Sequence, residues 1–315
     1  MTFSRSLKSL SPLISWKSTG KFQQTVAKCI ERTGSGLHSG KQSTVRIWPE
    51  LAGKGRYFHF RSIPIPASIL CHSPEGRLCT TLCKDGHSVR TVEHLLSALE
   101  GMGVDNCKIE IESSDPTDFS VEVPIFDGSA REWVEAIRQG GLKKAIDSNN
   151  QTIEKMAPFV DAPVHVCKND SFIAAFPWPE VNVTYGIDFK QAYAIGRQWF
   201  SSTLFSDSFY AEEIAPSRTF CIYEEVEQMR KAKLINGGSL ENAIVCSVSR
   251  GWLNPPLRFK EEPCRHKVLD LIGDLSLFAQ AGSQGFPVAH LIAYKAGHAL
   301  HAEFVRALCG SNPDL

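Results

Sequence analysis

Residues 265–274 read "RHKVLDLIGD". At 3.6 residues per turn, positions i and i+4 share a helix face, so His266, Asp270 and Asp274 form one polar column. Val268, Leu269, Leu271, Ile272 and Leu275 fall on the other side, which predicts an amphipathic helix laid on a core. The column itself has two readings. It is either the solvated face of an ordinary helix or part of a metal site, and the spacing suits both.

Outward from this helix the chain alternates between strand and helix patterns. "TVRIWPE", "YFHFRSI" and "CKIEIES" read as strands by their alternation and their β-branched and aromatic content. "SVRTVEHLLSALEGMG" reads as a helix with Val92, Leu95, Leu96, Leu99 and Met102 as its apolar stripe, and "GSAREWVEAIRQGG" as a second, closed by Gly140-Gly141. The polar stretch "LKKAIDSNNQT" carries no periodicity, so a boundary is placed near residues 147–151. The second half repeats the plan. "DSFIAAFPW", "VNVTYGIDF", "ENAIVCSVS" and "FPVAHLIAYK" are strands; "YEEVEQMRKAKL", the stretch around 265–274 and "GHALHAEFVRALCG" are helices. Strands running into helices in both halves indicate an α+β fold, with helices packed on one face of each mixed sheet. The expected organisation is a leader at 1–25, an N-terminal unit at 26–148 and a C-terminal unit at 149–315.

Composition narrows the function classes. Of 315 residues, 43% are hydrophobic and 22% charged, which is globular composition with length for about two domains. Formal net charge is zero, so no basic field is available to hold a nucleic-acid backbone. No apolar run approaches the roughly 20 residues of a membrane span, so a soluble chain is expected. The ten cysteines are scattered without a CxxC and read as reduced, mostly buried thiols. The start differs from the rest: Arg5, Lys8, Lys17, Lys21 and Lys28 precede the first acidic residue, Glu31. Phe3, Leu7, Leu10 and Ile14 would share a helix face, although Pro12 interrupts it. This basic, acid-free lead has the character of an organellar transit peptide, with a mature chain starting near residues 20–30.

Several clusters could carry chemistry. His94, preceded by Glu93, points away from the leucine stripe and shares its side with Ala98 and Gly101, small enough to admit a neighbouring element. Beside a metal-holding histidine, a glutamate can reach a metal-bound water; the pattern is not HExxH. His94, His266 and Asp270 together would give two imidazoles and a carboxylate, which suits a catalytic zinc or a non-haem Fe(II) centre. His298 opens a helix, where its pKa falls unless a carboxylate offsets it. His301, one turn on, is expected to face solvent. "RTGSGLHSG" fails the dinucleotide fingerprint and reads as a turn presenting His38. Glu122 and Asp127 read as capping and loop-ordering groups rather than a catalytic pair.

The segments "GSGLHSG", "RTVEHLLSALEGMGVDN", "EVPIFDGSA", "SRTF", "GGSLENAIV", "RHKVLDLIGDL" and "AYKAGHAL" resemble, in order, the motif set of the UDP-3-O-acyl-N-acetylglucosamine deacetylases. They lie between residues 34 and 300, and seven ordered motifs make a specific signal. The resemblance implies two α+β domains with their helices sandwiched between two sheets and the active site in the cleft. It implies a zinc amidase of lipid A synthesis, acting on UDP-3-O-acyl-N-acetylglucosamine, with Fe2+ as a possible substitute metal. By the same resemblance His94, His266 and Asp270 are the metal ligands and Glu93 the general base. His298 is the general acid oriented by Asp274, Thr219 stands beside the developing oxyanion, Lys267 contacts the diphosphate, and Phe220 and Phe189 contact the nucleotide sugar. The chain departs from that pattern after Phe220, where Cys221 replaces a glycine and Ile222 an aromatic.

Two rival readings stay open at this level. An Fe(II)/2-oxoacid oxygenase would use the same three ligands but place them on a jelly roll. A non-catalytic acyl-sugar-binding protein would keep the fold with a broken catalytic set. The expected state is a monomer, with no nucleic-acid partner and no transmembrane segment. The leader points to an organelle-imported eukaryotic (plant) member of the family, in mitochondria rather than chloroplasts.

Overall fold

The computed structural model describes residues 11–76, 78–115, 117–202, 206–254 and 256–310. Its framework is two five-stranded mixed sheets with helices between them. In the first sheet the order is Ile30–Ser35, Gln42–Pro49, Cys107–Ser113, Arg56–Phe60, Ile63–Pro66. In the second it is Val164–Lys168, Ser171–Phe176, His290–Tyr294, Asn182–Phe189, Gly196–Ser202. Both sheets follow one plan. Two hairpins flank a central strand that comes last in sequence, and that strand is parallel to one neighbour only. A structural repeat is therefore present that no sequence similarity between the halves announces.

Alternation explains which face is covered. Val45 and Ile47 on one strand, Ile109 and Ile111 on the next, and Val183, Tyr185 and Ile187 in the second sheet are all buried, while Arg46, Glu110 and Thr184 between them are only partly so; Gly186, without a side chain, is buried as well. Over these faces lie α1 (Glu93–Gly101), α2 (Arg131–Gly140), α4 (Glu262–Leu275) and α5 (His298–Leu308); α3 (Tyr223–Lys231) stands apart with no buried residue. α4 packs on Asn182–Phe189 and Gly196–Ser202, α5 on the Val164–Lys168 and Ser171–Phe176 hairpin, and α2 on Ile30–Ser35. α1 and α4 are equivalent crossover helices, each feeding the central strand of its sheet, and they pack on each other. The expected α+β arrangement with sandwiched helices is what the chain adopts.

The closest approach of α1 and α4 depends on one residue. A Cβ placed on Gly273 would meet the Glu93 carbonyl oxygen at 2.1 Å, so only glycine lets the two backbones touch there. At the other end of α1, a Cβ on Gly101 would strike the Tyr210 ring at 2.4 Å. The small-residue side of α1 is thus a contact side, as the sequence suggested.

The leader requires correction. Residues 1–10, including Phe3, Leu7 and Leu10, lie outside the described residues. Residues 14–22 are no leader helix: Ile14–Phe22 is a strand, antiparallel to Glu154–Val160 of the second half. Ile14 is buried and Trp16 stacks on Phe278 with ring centres 5.5 Å apart. Gln24–Val26 then pairs with Leu142–Lys144. Alternation through "ISWKSTGKF" was available in the sequence, but the surplus of lysines masked it; those lysines sit on an edge strand, a common place for them. No helix among the described residues is long and apolar enough to cross a membrane. All ten cysteines are free, but four are buried, four intermediate, and Cys83 and Cys167 exposed, so "mostly buried" was too strong.

Candidate active site

The polar column of α4 does not face solvent. His266, Asp270 and Asp274 are each about 2% exposed, because α1 lies across them. From α1, His94 brings Nε2 to 3.6 Å from Asp270 Oδ1, and His266 Nε2 stands 3.3 Å from the same oxygen. The donor atoms of His94, His266 and Asp270 all lie within 4.8 Å of one another. Asp270 Oδ1 has no hydrogen-bond partner among the described residues although it is buried, and the same is true of His94 Nδ1. A buried carboxylate oxygen without a partner is costly. Donors of a tetrahedral zinc, each at about 2.0–2.2 Å, stand roughly 3.3–3.5 Å apart, so the set fits a divalent ion.

The surroundings prepare the donors. His266 Nδ1–H donates to the Ser217 carbonyl at 3.0 Å, which leaves the Nε2 lone pair facing Asp270. Burial pushes the His266 pKa down to about 3, so the ring is neutral. Burial would raise Asp270, but the hydrogen-bonded Lys267 ammonium overrides it and holds the carboxyl well below the usual carboxylate range. Lys267 Nζ donates to Asp270 Oδ2 at 2.7 Å, leaving Oδ1 free.

Glu93 and His298 lie beside this cluster. Glu93 Oε2 accepts the Thr80 backbone N–H at 3.0 Å, and burial raises its pKa. The turn that delivers α1 is strained: Thr91, β-branched, sits at φ 56, held by a 2.8 Å bond from its hydroxyl to Glu122. His298 turns Nδ1 onto Asp274 Oδ2 at 2.7 Å and Nε2 to 3.8 Å from Glu93 Oε1. Burial would lower His298, but Asp274 and Glu93 raise it to about 9, so the carboxylate offsets the helix terminus. His301 contradicts its expected exposure. It is fully buried and puts Nδ1 2.7 Å from the same Asp274 oxygen, because α5 lies against α4 on that side. Thr80 was not singled out from the sequence; its hydroxyl donates to Asp274 Oδ1, and a threonine in a loop gives no pattern that could have flagged it.

A cavity of about 520 Å³ adjoins the cluster, with Thr219, Phe220, Phe189 and Lys267 in its wall. Phe189 and Phe220 meet edge to face at 5.3 Å, and Phe220 stands edge-on to His266 at 6.5 Å. Away from the polar cluster the wall turns apolar through Leu37, Ile222, Val226, Met229 and Leu253. Cys221 and Ile222, the two departures, both line it. All ten residues singled out as site candidates thus gather around one centre. Glu122 and Asp127 play ordering roles as expected: Glu122 binds the backbone N–H groups of His38 and Ser39, and Asp127 binds Ser129 and Arg258. The donors sit on two helices between mixed sheets, not on a jelly roll.

The family model described as UDP-3-O-acyl N-acetylglycosamine deacetylase matches residues 23–310 of this chain. The chain belongs to that deacetylase family. A relative in Arabidopsis thaliana, named probable UDP-3-O-acyl-N-acetylglucosamine deacetylase 1, mitochondrial, is 59% identical over 298 residues, covering 95% of this chain and 91% of the relative. The UDP-3-O-acyl-N-acetylglucosamine deacetylase of Trichormus variabilis is 47% identical over 293 residues, covering 91% of this chain and 98% of its own. That of Thermosynechococcus vestitus is 43% identical over 289 residues, with 91% and 93% covered.

Proposed function

We propose that this protein is a metal-dependent hydrolase that removes the N-acetyl group of UDP-3-O-acyl-N-acetylglucosamine, releasing acetate, in a lipid A-type pathway. The observation that carries the reading is the unpartnered Asp270 Oδ1, buried between two imidazoles and beside Glu93. His94, His266 and Asp270 would hold the ion, zinc or Fe2+. When bound, it would supply Lewis acidity for the amide carbonyl and lower the pKa of a water.

The protein's own groups divide the remaining work. Glu93, with its pKa raised by burial, takes the proton of the attacking water; a base nearer neutrality loses less on proton transfer. Thr219 stands in the cavity wall where the oxyanion develops. His298, protonated and turned by Asp274, gives its proton from Nε2 to the leaving amine. Lys267 approaches the diphosphate, Phe220 and Phe189 the nucleotide sugar, and the apolar far wall suits the acyl chain. We further propose the two-unit division near residues 147–151, action as a monomer, and mitochondrial residence with chloroplasts as the alternative; the named Arabidopsis relatives support the location.

Metal analysis of the purified chain, with acetate release from UDP-3-O-acyl-N-acetylglucosamine, tests the activity. A folded chain that binds neither zinc nor iron and releases no acetate refutes it. Residues 1–40 fused to a fluorescent reporter test the location: mitochondrial signal supports it, and a cytosolic one overturns it.

A further inference from the structure

Asp274 serves two histidines with one oxygen. Oδ2 meets His298 Nδ1 and His301 Nδ1, each at 2.7 Å, while Oδ1 accepts the Thr80 hydroxyl. The proposed reaction uses His298 and leaves His301 idle. Yet His301 is fully buried, and on its other side Nε2 lies 3.2 Å from the Tyr185 hydroxyl. Tyr185 is itself fully buried in the central part of the second sheet, and its hydroxyl also reaches the Ala296 carbonyl at 2.8 Å, just before α5 begins. A polar chain thus runs from the sheet through Tyr185, His301 and Asp274 to His298.

We propose that His301, backed by Tyr185, is a positioning residue for the deacetylation: it pins the Asp274 carboxylate so that His298 Nε2 is aimed at the reacting centre. The inference rests on the general-acid reading of His298 given above. A carboxylate on a helix has free rotation at its terminal torsion. Thr80 fixes one oxygen and His301 the other, so the plane of the carboxylate is set before His298 binds to it. The aim is visible in the result. With Nδ1 held on Asp274, Nε2 faces Glu93 Oε1 at 3.8 Å and Asp270 Oδ2 at 4.0 Å. The two imidazoles cannot comfortably both be cations on one carboxylate.

The test compares His301→Leu, His301→Asn and His298→Ala in the metal-loaded full chain. Asparagine places an amide nitrogen on Cγ, where histidine has Nδ1, and can donate to Asp274; leucine places a methyl there. His301→Leu should lower kcat on the order of 10- to 100-fold, the scale of a misplaced catalytic group, with KM and metal content unchanged. His301→Asn should recover most of that loss. In a His298→Ala background, His301→Leu should cost no more than about two-fold further, since both act through one proton donor. Full kcat in His301→Leu, no recovery in His301→Asn, or an equal loss in the His298→Ala background would each overturn the positioning role. Near-normal kcat in His298→Ala would remove the general-acid reading, and with it this inference, and is distinguishable because it needs no change at His301. Should His301→Leu not fold, His301→Gln replaces it, its amide lying one carbon too far out.

Discussion

Gly273 offers the sharpest test of how the site is built. In the native packing a Cβ at that position would lie 2.1 Å from the Glu93 carbonyl oxygen, 2.8 Å from its carbonyl carbon and 3.1 Å from its Cα. Ordinary contact begins near 3.4 Å, so Gly273→Ala requires α1 and α4 to separate by about 1.3 Å at that point. All three neighbours are backbone, so no side chain can swing away. The proposed ligands straddle this contact, with His94 next to Glu93 and Asp270 one turn before Gly273. Metal sites tolerate roughly 0.2 Å in ligand distance, several times less than the required shift. Overpacking of this kind costs on the order of 1–3 kcal/mol of stability, which a chain of this size can survive. The expected result is a folded protein with a modestly lowered Tm, metal affinity reduced at least about 10-fold, and kcat reduced about 100-fold. Circular dichroism melts, metal titration and acetate release measure the three quantities. Native metal affinity and turnover in a folded Gly273→Ala variant would refute the claim that backbone contact between the crossover helices sets the site.

Other outcomes follow from the same geometry. His266→Ala and Asp270→Ala should each abolish metal binding, read by metal content after dialysis, whereas Glu93→Ala should keep the metal and lose roughly 100-fold or more in turnover. Deleting residues 1–22 removes the strand paired with Glu154–Val160 and should lower Tm by at least about 5 °C. Glu122 should contribute an acid limb to stability. Burial would raise it, but bonds from His38 and Ser39 bring it from 4.5 down to about 2, so its contribution, at most about 3 kcal/mol, is complete above pH 4.5 and lost as pH falls towards 2. Glu122→Gln should flatten stability against pH in that window. Removing the Arg56 guanidinium, which pairs with Glu100 at 2.6 Å in a buried contact, should cost about 3–5 kcal/mol in denaturant unfolding.

Much of the fold was legible because periodicity reports local burial. The apolar spacing of α4 and the alternation in "VNVTYGIDF" identified those elements and the apolar side each buries. What periodicity could not report was pairing over distance. Nothing in "ISWKSTGKF" says that it lies beside residues 154–160, and its lysines suggested a leader instead. Nor does the α4 column determine its own exposure. The same three residues would be solvated or buried depending on whether α1 crossed them, and that crossing is decided by Gly273, a residue with no side chain to announce it.

The candidate site divides along the same line. His94, His266, Asp270 and Glu93 are chemically conspicuous, and a resemblance supplied their roles. Their supports are ordinary residues in unremarkable places: the Ser217 carbonyl that sets the His266 tautomer, the Thr80 N–H and hydroxyl that hold Glu93 and Asp274, and Tyr185 behind His301. The repeated topology explains why they converge. Each half supplies one crossover helix to the middle of its sheet, and sandwiching the sheets forces those two helices together, α1 bringing Glu93 and His94, α4 bringing His266, Asp270 and Asp274. A site assembled from both halves at their contact cannot form in either half alone. Its integrity therefore reports on the packing of the whole molecule, and loss of metal should accompany any change that loosens α1 from α4, however far from the ligands that change is made.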